Sequence, residues 1–458
     1  MKRRTFLRNI FLFIFAFLFG YIVKKEDENT ILQLVDSNRI KGKDAKLIAD
    51  EFKDLTEKSV DTAINVKSFG AKGDGISDDT LAIQNAINSL PNGGKILIPD
   101  GTYMINADIS LKPNSNQILS LSKKAKLKAK PNSDASYQII NIIEKENVII
   151  EGGYIEGERD EHVGVNGEAG MGISIVRNSK NITIRNTHIS KCWADGIYIG
   201  GYLPCYNINI YNVTCDNNRR QGMSVVNVDT LTVRDSFFTN TAGTLPEAGI
   251  DIEPENYSTV KNVTIDNVVC TGNRSGLDVF GWAKTISNVQ VLNSSMINNR
   301  EYGLSIAFTT DILVLDTIFS NNGKNGINMA RDNVNVYFSN CQVSNSNYSG
   351  VNLETTLQRN KTQNIVFTSC IFKNNGQKLP NIYDGVKIDV LDSKGTIDGV
   401  TFIQCSFIDN QVNRTQRYGL NVGKNIKVMN VLIGYGNKFS GNATSAKNVS
   451  LINTLEND

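Results

Sequence analysis

Three carboxylates alternate along the short segment AGIDIEPEN, residues 248–256. Asp251, Glu253 and Glu255 occupy every second position, and the first two each follow an isoleucine. Alternate residues of an extended strand share a face, so the segment predicts a strand with acids on one side and isoleucines on the other. Like charges on one face need solvent, a cation or a substrate to compensate them. The segment is therefore either a solvated edge or the working surface of a site.

The same segment is one unit of a repeat. Each unit has a glycine, an apolar–x–apolar triplet, a second alternating strand and a turn that contains asparagine. The glycines are Gly172, Gly196, Gly222, Gly249, Gly276, Gly303, Gly326, Gly350, Gly385 and Gly419. Short alternating strands at this period, with Gly and Asn at the corners, are typical of a β-solenoid whose coils share one core. The Leu-x-x-Leu-x-Leu pattern of leucine-rich repeats is absent. The sequence therefore predicts an all-β parallel β-helix.

Aligning the units on their glycines places Asp251 beside Asp278, and only these two consecutive units carry an acid two residues after the glycine. Neighbouring strands lie about 4.8 Å apart. Two carboxylates held that close cannot both ionise freely, so one pKa should rise. An acid and a base are what glycosidic cleavage requires. Asp251 and Asp278 are therefore candidate catalytic residues, with Glu253 assisting.

Basic and aromatic side chains accompany these acids in the repeat. Arg274 is a candidate catalytic base for β-elimination, and Arg220 and Arg300 are candidates for binding a substrate uronate. Tyr198 and Trp282 are candidate substrate-binding residues, since a sugar ring stacks on an aromatic face. The alternative is a surface ion network between the arginines and the acids, in which each pair contributes about 0–1 kcal/mol.

The N-terminal segment differs in composition from the repeat. Residues 1–25 combine a basic start with an apolar run and predict an export signal, or an uncleaved signal anchor. Arg3 and Arg4 favour a twin-arginine signal, with an ordinary Sec signal as the alternative. Residues 26–62 are predicted to form a charged, partly helical spacer, followed by the β-helix domain over 63–458. We expect an extracellular or cell-surface protein that meets the membrane only through its N-terminus, with a homotrimer as one assembly to consider. The net charge of +2 gives no global field that would favour nucleic acid.

Residues 65–105 resemble the start of the pectate lyase superfamily domains of rhamnogalacturonase- and epimerase-like enzymes. The matching residues are Phe69, Gly70, Ala71, Gly73, Asp74, Gly75, Asp78, Asp79, Thr80, Ile83, Gly93, Gly94, Pro99, Gly101 and Tyr103. With the repeat, the similarity covers roughly residues 65–440. The resemblance implies a right-handed parallel β-helix.

Within the matched segment, the sequence predicts a helix over about 79–89 that covers the open N-terminal end of the solenoid. Ser77 or Asp78 can cap this helix, and Asp74 and Asp79 are expected to be turn or cap residues rather than catalytic ones. The apolar stripe of the helix comprises Ala82, Ile83, Ala86 and Ile87.

The resemblance implies an exported carbohydrate-active enzyme that acts on a polysaccharide, often an acidic one. In alginate-epimerase-like members the segment that matches AGIDIEPE carries a catalytic Tyr, Asp and His. Asp251 matches the Asp, whereas Ala248 and Glu253 replace the Tyr and the His, which argues against that epimerase chemistry. Cleavage by lyase or hydrolase chemistry is the leading function. A lyase would add Ca²⁺ as a cofactor, held by the carboxylates against a uronate. The alternative is a non-catalytic, tailspike-like protein that binds a glycan.

The remaining reactive side chains point to structural roles. His162 and His188, the only histidines, lie outside the acid column, and we expect both to be structural. The seven cysteines are an odd number spread over inward positions, which favours free, packed thiols. Cys192 and Cys205 form the most plausible disulfide if one exists.

Overall fold

A computed structural model describes residues 63–255, 258–281, 285–355, 361–391, 395–423, 427–448 and 454–456. The predicted export signal, the predicted spacer and Trp282 lie outside these residues. Across the described ranges, no helix has the length and apolar character needed to cross a membrane.

The chain forms a parallel β-helix, as the repeat predicts. Each full coil contributes three strands, and every strand pairs in parallel with its equivalents in the coils before and after it. We name the three faces sheets 1, 2 and 3. Sheets 1 and 2 are joined where the long strands Tyr302–Leu315 and Ile327–Ser339 run through both of them.

Within each face the strands follow one another in chain order. Apart from the two joining strands, sheet 1 contains Ser136–Ile143, Ala169–Val176, Asp195–Gly200, Gln221–Val225, Ala248–Ile252, Ser275–Phe280, Val351–Thr355, Val386–Val390, Tyr418–Val422 and Ser445–Asn448. Sheet 2 contains Ala63–Asn65, Gly94–Ile98, Gln117–Leu121, Ile149–Glu151, Lys180–Arg185, Cys205–Tyr211, Val228–Arg234, Val260–Asp266, Ile286–Leu292, Lys361–Thr368, Thr396–Ile403, Val428–Ile433 and Thr454–Glu456. Sheet 3 contains Asp74–Asp78, Gly101–Ile105, Ala125–Ala129, Tyr154–Glu156, His188–Ser190, Thr214–Asp216, Phe237–Thr239, Val269–Thr271, Ser295–Ile297, Ile318–Ser320, Gln342–Ser344, Ile371–Lys373, Ser406–Ile408 and Lys438–Ser440.

The capping helix runs over Thr80–Asn88, following a short 3₁₀ helix at Val66–Phe69. Ile83, Ala86 and Ile87 are completely buried in the core, as the apolar stripe predicts. Asp78 accepts hydrogen bonds from the backbone N–H and the hydroxyl of Thr80, at 3.1 and 2.6 Å, and so satisfies the first N–H of the helix. The N-cap residue is Asp79, whose side chain makes no hydrogen bond to the helix terminus.

The neighbouring aspartates hold the preceding turn. Asp79 accepts the backbone N–H groups of Lys72 and Gly73. Asp74 accepts those of Ile76 and Ser77, and these bonds lower its pKa to about 2. The carboxylates of this segment therefore hold a turn and a helix terminus, as predicted.

Asparagine side chains bind each coil to the next at the corner before sheet 1. Asn299 Oδ1 accepts the backbone N–H of Asn273 at 3.2 Å, and its Nδ2 donates to the carbonyl of Cys270 at 3.2 Å. Asn322 Oδ1 accepts the N–H of Asn299 at 3.0 Å and continues the ladder. These amides satisfy backbone groups where the chain turns and strand pairing is interrupted. The close approach of successive coils explains the glycines, because a Cβ on Gly276 would lie 2.6 Å from the carbonyl oxygen of Gly303.

The interior between the sheets is a continuous apolar core. Stacked aromatic rings run through the later coils, with the Phe338–Phe367 centroids 4.8 Å apart and the Phe367–Phe402 centroids 5.2 Å apart. All seven cysteines are free and buried, so Cys192 and Cys205 do not form a disulfide. The thiols pack as small apolar side chains.

We predict that Asn299→Ala lowers the free energy of unfolding by about 2 kcal/mol, because it removes the acceptor of the buried Asn273 N–H and the side-chain donor to the Cys270 carbonyl. The measurement is urea unfolding followed by circular dichroism. Asn85→Ala is the control, since Asn85 is exposed on the capping helix and its replacement should change stability by less than about 0.5 kcal/mol. Equal effects of the two substitutions would contradict a stabilising role for the ladder.

Candidate functional site

The acids of the repeat lie on sheet 1 in the predicted register. Asp251 pairs directly with Asp278 on the next strand. The whole column two residues after each repeat glycine is in register, and it comprises Ser174, Tyr198, Ser224, Asp251, Asp278, Ser305, Asn328, Asn352, Lys387 and Asn421. The alignment of the glycines therefore identified true neighbours.

The column is less accessible than an outward strand position suggests. Asp251 and Asp278 are each only 4% exposed. The side chain of Gln221 bonds to Asp251, with Nε2 donating to Oδ2 at 2.7 Å. Gln221 also accepts the backbone N–H of Ala248 through Oε1 at 2.8 Å, which fixes the orientation of its amide. The two acids thus sit in a polar, largely dehydrated layer above the sheet.

This burial changes how the acids ionise. Loss of solvent raises the pKa of Asp251 well above its usual value, and the charges of Asp278 and Glu253 raise it further. Burial likewise raises the pKa of Asp278 to about 7, although the Ser275 hydroxyl and the charge of Arg274 oppose the shift. Oδ1 of Asp278 is buried and has no hydrogen-bond partner among the described residues. The pKa of each carboxyl is therefore raised, and Asp278, with a pKa of about 7, is partly ionised at neutral pH.

A third buried aspartate, Asp195, belongs to the same layer and was missed by the sequence reasoning. It is fully buried, accepts the hydroxyl of Ser224 at 2.7 Å and lies 3.3 Å from the Arg220 guanidinium. Burial raises its pKa to about 6, against the opposing effects of Arg220 and Ser224. A second column of the repeat, one residue before each glycine, could have identified Asp195. In this column Asp195 pairs in register with Gln221 of the next coil.

The arginines are paired, but not with the two column acids. Arg220 contacts Asp195 at 3.3 Å and Glu168 at 3.7 Å, and its charge also acts on Asp251. Arg274 lies 3.0 Å from Glu301. The predicted ion network exists in this form, and among the described residues Asp251 and Asp278 take part in none of its ion pairs.

The structure brings most of the predicted site residues together. Glu253 is half-buried, and its charge acts on both Asp251 and Asp278. Tyr198 lies two strands before Asp251, and burial, with the nearby charge of Glu255, raises its pKa to about 12.

Arg300 is engaged elsewhere. It bonds to Glu247 at 2.5 Å and to the backbone carbonyls of Gly272 and Thr241. Its guanidinium therefore braces the corner rather than facing the acid pair. Trp282 falls outside the described residues.

The histidines lie away from the acid pair. His162 Nδ1 lies 3.0 Å from the buried Glu158, and its ring stacks on Trp193 at 3.8 Å. Arg219 covers Trp193 at 3.8 Å from the ring centroid. His188 belongs to sheet 3, on a different face of the solenoid. These contacts indicate that His162 fastens the loop that leads into the Ala169–Val176 strand of sheet 1.

The carboxylates described near the acid pair do not form a preorganised cation-binding site. Within the ranges that the structure describes, no group of three or more His, Cys, Asp or Glu side chains is arranged to hold a metal ion. A raised pKa also weakens Asp251 as a cation ligand, because a carboxyl group binds a cation in its ionised form. Ca²⁺ therefore stays a prediction tied to the lyase alternative.

Several known proteins are similar to this chain in sequence or in fold. Protein YclG of Bacillus subtilis is 29% identical over 248 residues, which cover 46% of this chain and 42% of YclG. Plasmin and fibronectin-binding protein A of Streptococcus pneumoniae is 26% identical over 332 residues, which cover 63% of this chain and 43% of that protein. The chain thus spans less than half the length of either relative.

The solved A-module of mannuronan C-5 epimerase AlgE6 from Azotobacter vinelandii superposes with a TM-score of 0.60 at 17% identity, covering 86% of this chain and 97% of the module. That likeness shows the fold alone. The family described as right handed beta helix region matches residues 248–446. The family described as rhamnogalacturonase A/epimerase, pectate lyase-like, matches residues 63–304, more than half of the sequence. The chain therefore belongs to the rhamnogalacturonase A/epimerase, pectate lyase-like family and has its right-handed parallel β-helix.

Proposed function

We propose that this protein is an exported enzyme that hydrolyses glycosidic bonds within a polysaccharide. The observation that carries the proposal is the pair Asp251 and Asp278, held in register on adjacent strands with both pKa values raised by burial. Membership in a family that contains carbohydrate-active enzymes supports it. Burying carboxylates costs stability, which is a reason to expect that they are retained for chemistry.

The hydrogen bonds of the two carboxyls assign their roles, since Gln221 binds Asp251 whereas Oδ1 of Asp278 has no partner among the described residues. Asp251, whose pKa is raised well above its usual value by burial, donates a proton to the glycosidic oxygen as the C–O bond breaks. Asp278 acts in its ionised form, and its unpartnered Oδ1 bonds to the anomeric carbon as the leaving group departs, because carboxyls this close leave no room for a water between them. Water then hydrolyses the glycosyl ester by attacking the anomeric carbon, gives its proton to Asp251 and releases Asp278 as a carboxylate. Asp195 positions Ser224 and Arg220 beside the pair, while Arg220 and Tyr198 contact the sugar.

A lyase is the second reaction to test. A lyase requires a base, such as Arg274, that removes a proton from a uronate sugar. The charge of that uronate must be neutralised, and Ca²⁺ held by the carboxylates would serve this purpose. Arg220 and Arg274 already hold Asp195 and Glu301, which favours hydrolysis. A lyase would give unsaturated products that absorb in the ultraviolet, whereas a hydrolase would give new reducing ends without that absorbance.

A non-catalytic glycan-binding protein is the second candidate function. It is favoured by the similarity to plasmin and fibronectin-binding protein A, whose name describes binding rather than catalysis. This function would give tight oligosaccharide binding and no products after long incubation. The predicted export, N-terminal anchor and homotrimer are compatible with either function.

We predict that Asp251→Asn and Asp278→Asn each lower kcat by about 10²- to 10⁴-fold, because the first removes the proton donor and the second removes the nucleophile. The measurement is mass spectrometry of products from a polysaccharide panel. Asp235→Asn is the matched control, since Asp235 is exposed on a corner and an Asn can keep its hydrogen bond to Asn267. Unchanged product formation in both site variants would exclude this pair as the catalytic residues.

We predict a bell-shaped dependence of kcat/KM on pH. The rate rises with pH through about 7 as Asp278 ionises, because its pKa is raised to that value. It falls again at higher pH, when Asp251 loses the proton that it must donate. A rate that stays constant from about pH 5 to 9 would contradict these roles.

We also predict that Asp251→Asn and Asp278→Asn stabilise the fold in mildly alkaline solution. The folded state binds protons more tightly than the unfolded state, whose aspartates keep the ordinary pKa of 3.8. Stability therefore falls as pH rises from the unfolded pKa through the folded one, and a neutral Asn avoids that loss. The free energy of unfolding in urea should increase by more than about 1 kcal/mol near pH 8, and the gain should vanish near pH 4. Destabilisation at both pH values would instead support a structural role for the acids.

A further inference from the structure

A groove of about 600 Å³ lies at the corner where sheet 2 passes into sheet 3. Its lining includes Gly152 and Gly153, which connect the strands Ile149–Glu151 and Tyr154–Glu156. None of the residues that line it belongs to sheet 1. The groove therefore has the volume of a ligand site and is separate from the acid pair.

Two glycines keep this groove open. A Cβ on Gly152 would overlap the carbonyl oxygen of Leu121, and a Cβ on Gly153 would lie 2.6 Å from that of Ala125. Glycine is therefore required at both positions, because the backbones of successive coils approach closely there. The corner of this coil consequently carries no side chain at these two positions that could fill the groove.

The glycine pair also leaves an amide of the next coil without a partner. The strand register makes Asn186 the equivalent of Gly152 in the preceding coil. Asn212 of the following coil donates through Nδ2 to Asn186 Oδ1 at 2.9 Å, which fixes the orientation of the Asn186 amide. Gly152 has no side chain to accept from Asn186 Nδ2 in the same way, and this nitrogen has no acceptor among the described residues. Asn186 lines the groove, so an oriented amide donor is free for a ligand there.

Two aromatic rings form one wall of the groove. Tyr154 and His188 pair directly on adjacent strands of sheet 3, with ring centroids 5.6 Å apart and ring planes tilted by 51°. The two rings therefore do not cover each other, and Tyr154 is 42% exposed. Burial lowers the pKa of His188, although the charges of Asp216 and Glu156 oppose this shift, so the imidazole is mostly uncharged at neutral pH. Two uncharged rings thus offer an apolar surface to a ligand in the groove.

The aromatic column continues beyond the groove. Thr214 and Phe237 follow His188 in register on the next two strands, and Phe237 is 47% exposed. Successive strands lie about 4.8 Å apart, so the column from Tyr154 to Phe237 extends over about 14 Å along the solenoid. Large apolar side chains that are exposed in one column indicate a binding surface.

A glycan chain matches both kinds of group in the groove. A pyranose ring has a C–H face that packs on an aromatic ring, and hydroxyl oxygens that accept hydrogen bonds from an amide. An apolar ligand would cover the Asn186 amide without giving it an acceptor, which costs free energy. A linear glycan that follows the solenoid axis would also reach Phe237. The combination of free rings and a free amide donor therefore favours a sugar.

We propose that this groove is a second glycan-binding site, in which a pyranose ring packs on Tyr154 and His188 and accepts a hydrogen bond from Asn186 Nδ2. The site holds a polysaccharide chain along sheet 3 without cleaving it. It gives His188 a role in binding, where the sequence predicted a structural one. Binding in the groove does not require the acid pair of sheet 1 to be catalytic.

The test is titration calorimetry of the full chain with linear hexasaccharides of glucose, xylose, mannose, galacturonate and mannuronate. We expect at least one of them to bind. Tyr154→Ala should then remove one bound oligosaccharide per chain, or weaken its binding at least about tenfold, because the stacking surface is lost. Tyr206→Ala is the matched control, since Tyr206 is a similarly exposed tyrosine of sheet 2 that does not line the groove. Binding of none of these probes, or an equal effect of the two substitutions, would overturn the inference.

Asn186→Asp tests the hydrogen bond, and it is the second variant should Tyr154→Ala not fold. The carboxylate keeps an acceptor for Asn212 at nearly the same size, but it cannot donate to a sugar hydroxyl. Aspartate also tolerates the left-handed conformation of Asn186, whose φ is 58°-like in neighbouring corners and 55° here. We expect the same hexasaccharide to bind at least about fivefold more weakly. Binding that is unchanged in this variant and in Tyr154→Ala would exclude the groove as the site.

Cleavage assays separate the groove from the acid pair. Tyr154 and Asn186 lie outside the proposed catalytic site, so their variants should keep the kcat/KM of the unmodified protein on a short oligosaccharide. Binding that is lost in Tyr154→Ala, without cleavage by the unmodified protein, would support the groove and contradict the hydrolase. Cleavage by the unmodified protein, with binding that neither substitution changes, would support the hydrolase and overturn the groove.

Discussion

Parallel strands stacked in register place each side chain about 4.8 Å from its equivalent in the next coil. In this protein that constraint is enforced at the corners, where asparagine amides such as Asn299 bond from coil to coil and glycines allow the backbones to approach. Two acids at equivalent positions of successive coils must then be neighbours. The proximity of Asp251 and Asp278 is thus a consequence of the stacking rather than of a particular loop.

The electrostatics of the site follow from the same stacking and from burial. A carboxylate on a strand cannot move away from its neighbour, so repulsion is relieved by proton uptake instead of by rearrangement. The nearby arginines could have neutralised the pair, but Arg220 and Arg274 are held by Asp195 and Glu301. The pair consequently keeps raised pKa values, and this is the property that suits it to donate and accept protons.

The sequence was sufficient for the features that repeat. Glycine spacing predicted the solenoid and the register of Asp251 with Asp278, and the capping helix was predicted at nearly its observed bounds. Burial of the acids was not predictable, because alternation on a strand says which way a side chain points but not what covers it. Asp195 was missed because only one column of the repeat was considered. The partners of Arg300 come from other coils and could not be inferred from its own surroundings in the chain.

Asp195 and Arg220 of the next coil form an ion pair that has a second occurrence in the chain, at Asp384 and Arg417. Comparing the two shows what distinguishes a candidate reactive site from a purely stabilising ion pair. Asp384 also directly precedes a repeat glycine, and Arg417 of the next coil binds both of its oxygens, at 2.9 and 2.8 Å. Asn421 donates to Asp384 as well, in the column position that Ser224 occupies beside Asp195. The charges of Asp384 and Arg417 balance each other, and the ion pair connects two successive coils. Asp195 has a longer contact with Arg220, which also reaches toward Glu168, and it lies beside further buried acids. The same local element therefore serves stability where its charges balance, and is open to chemistry where neighbouring coils add carboxylates that it cannot neutralise.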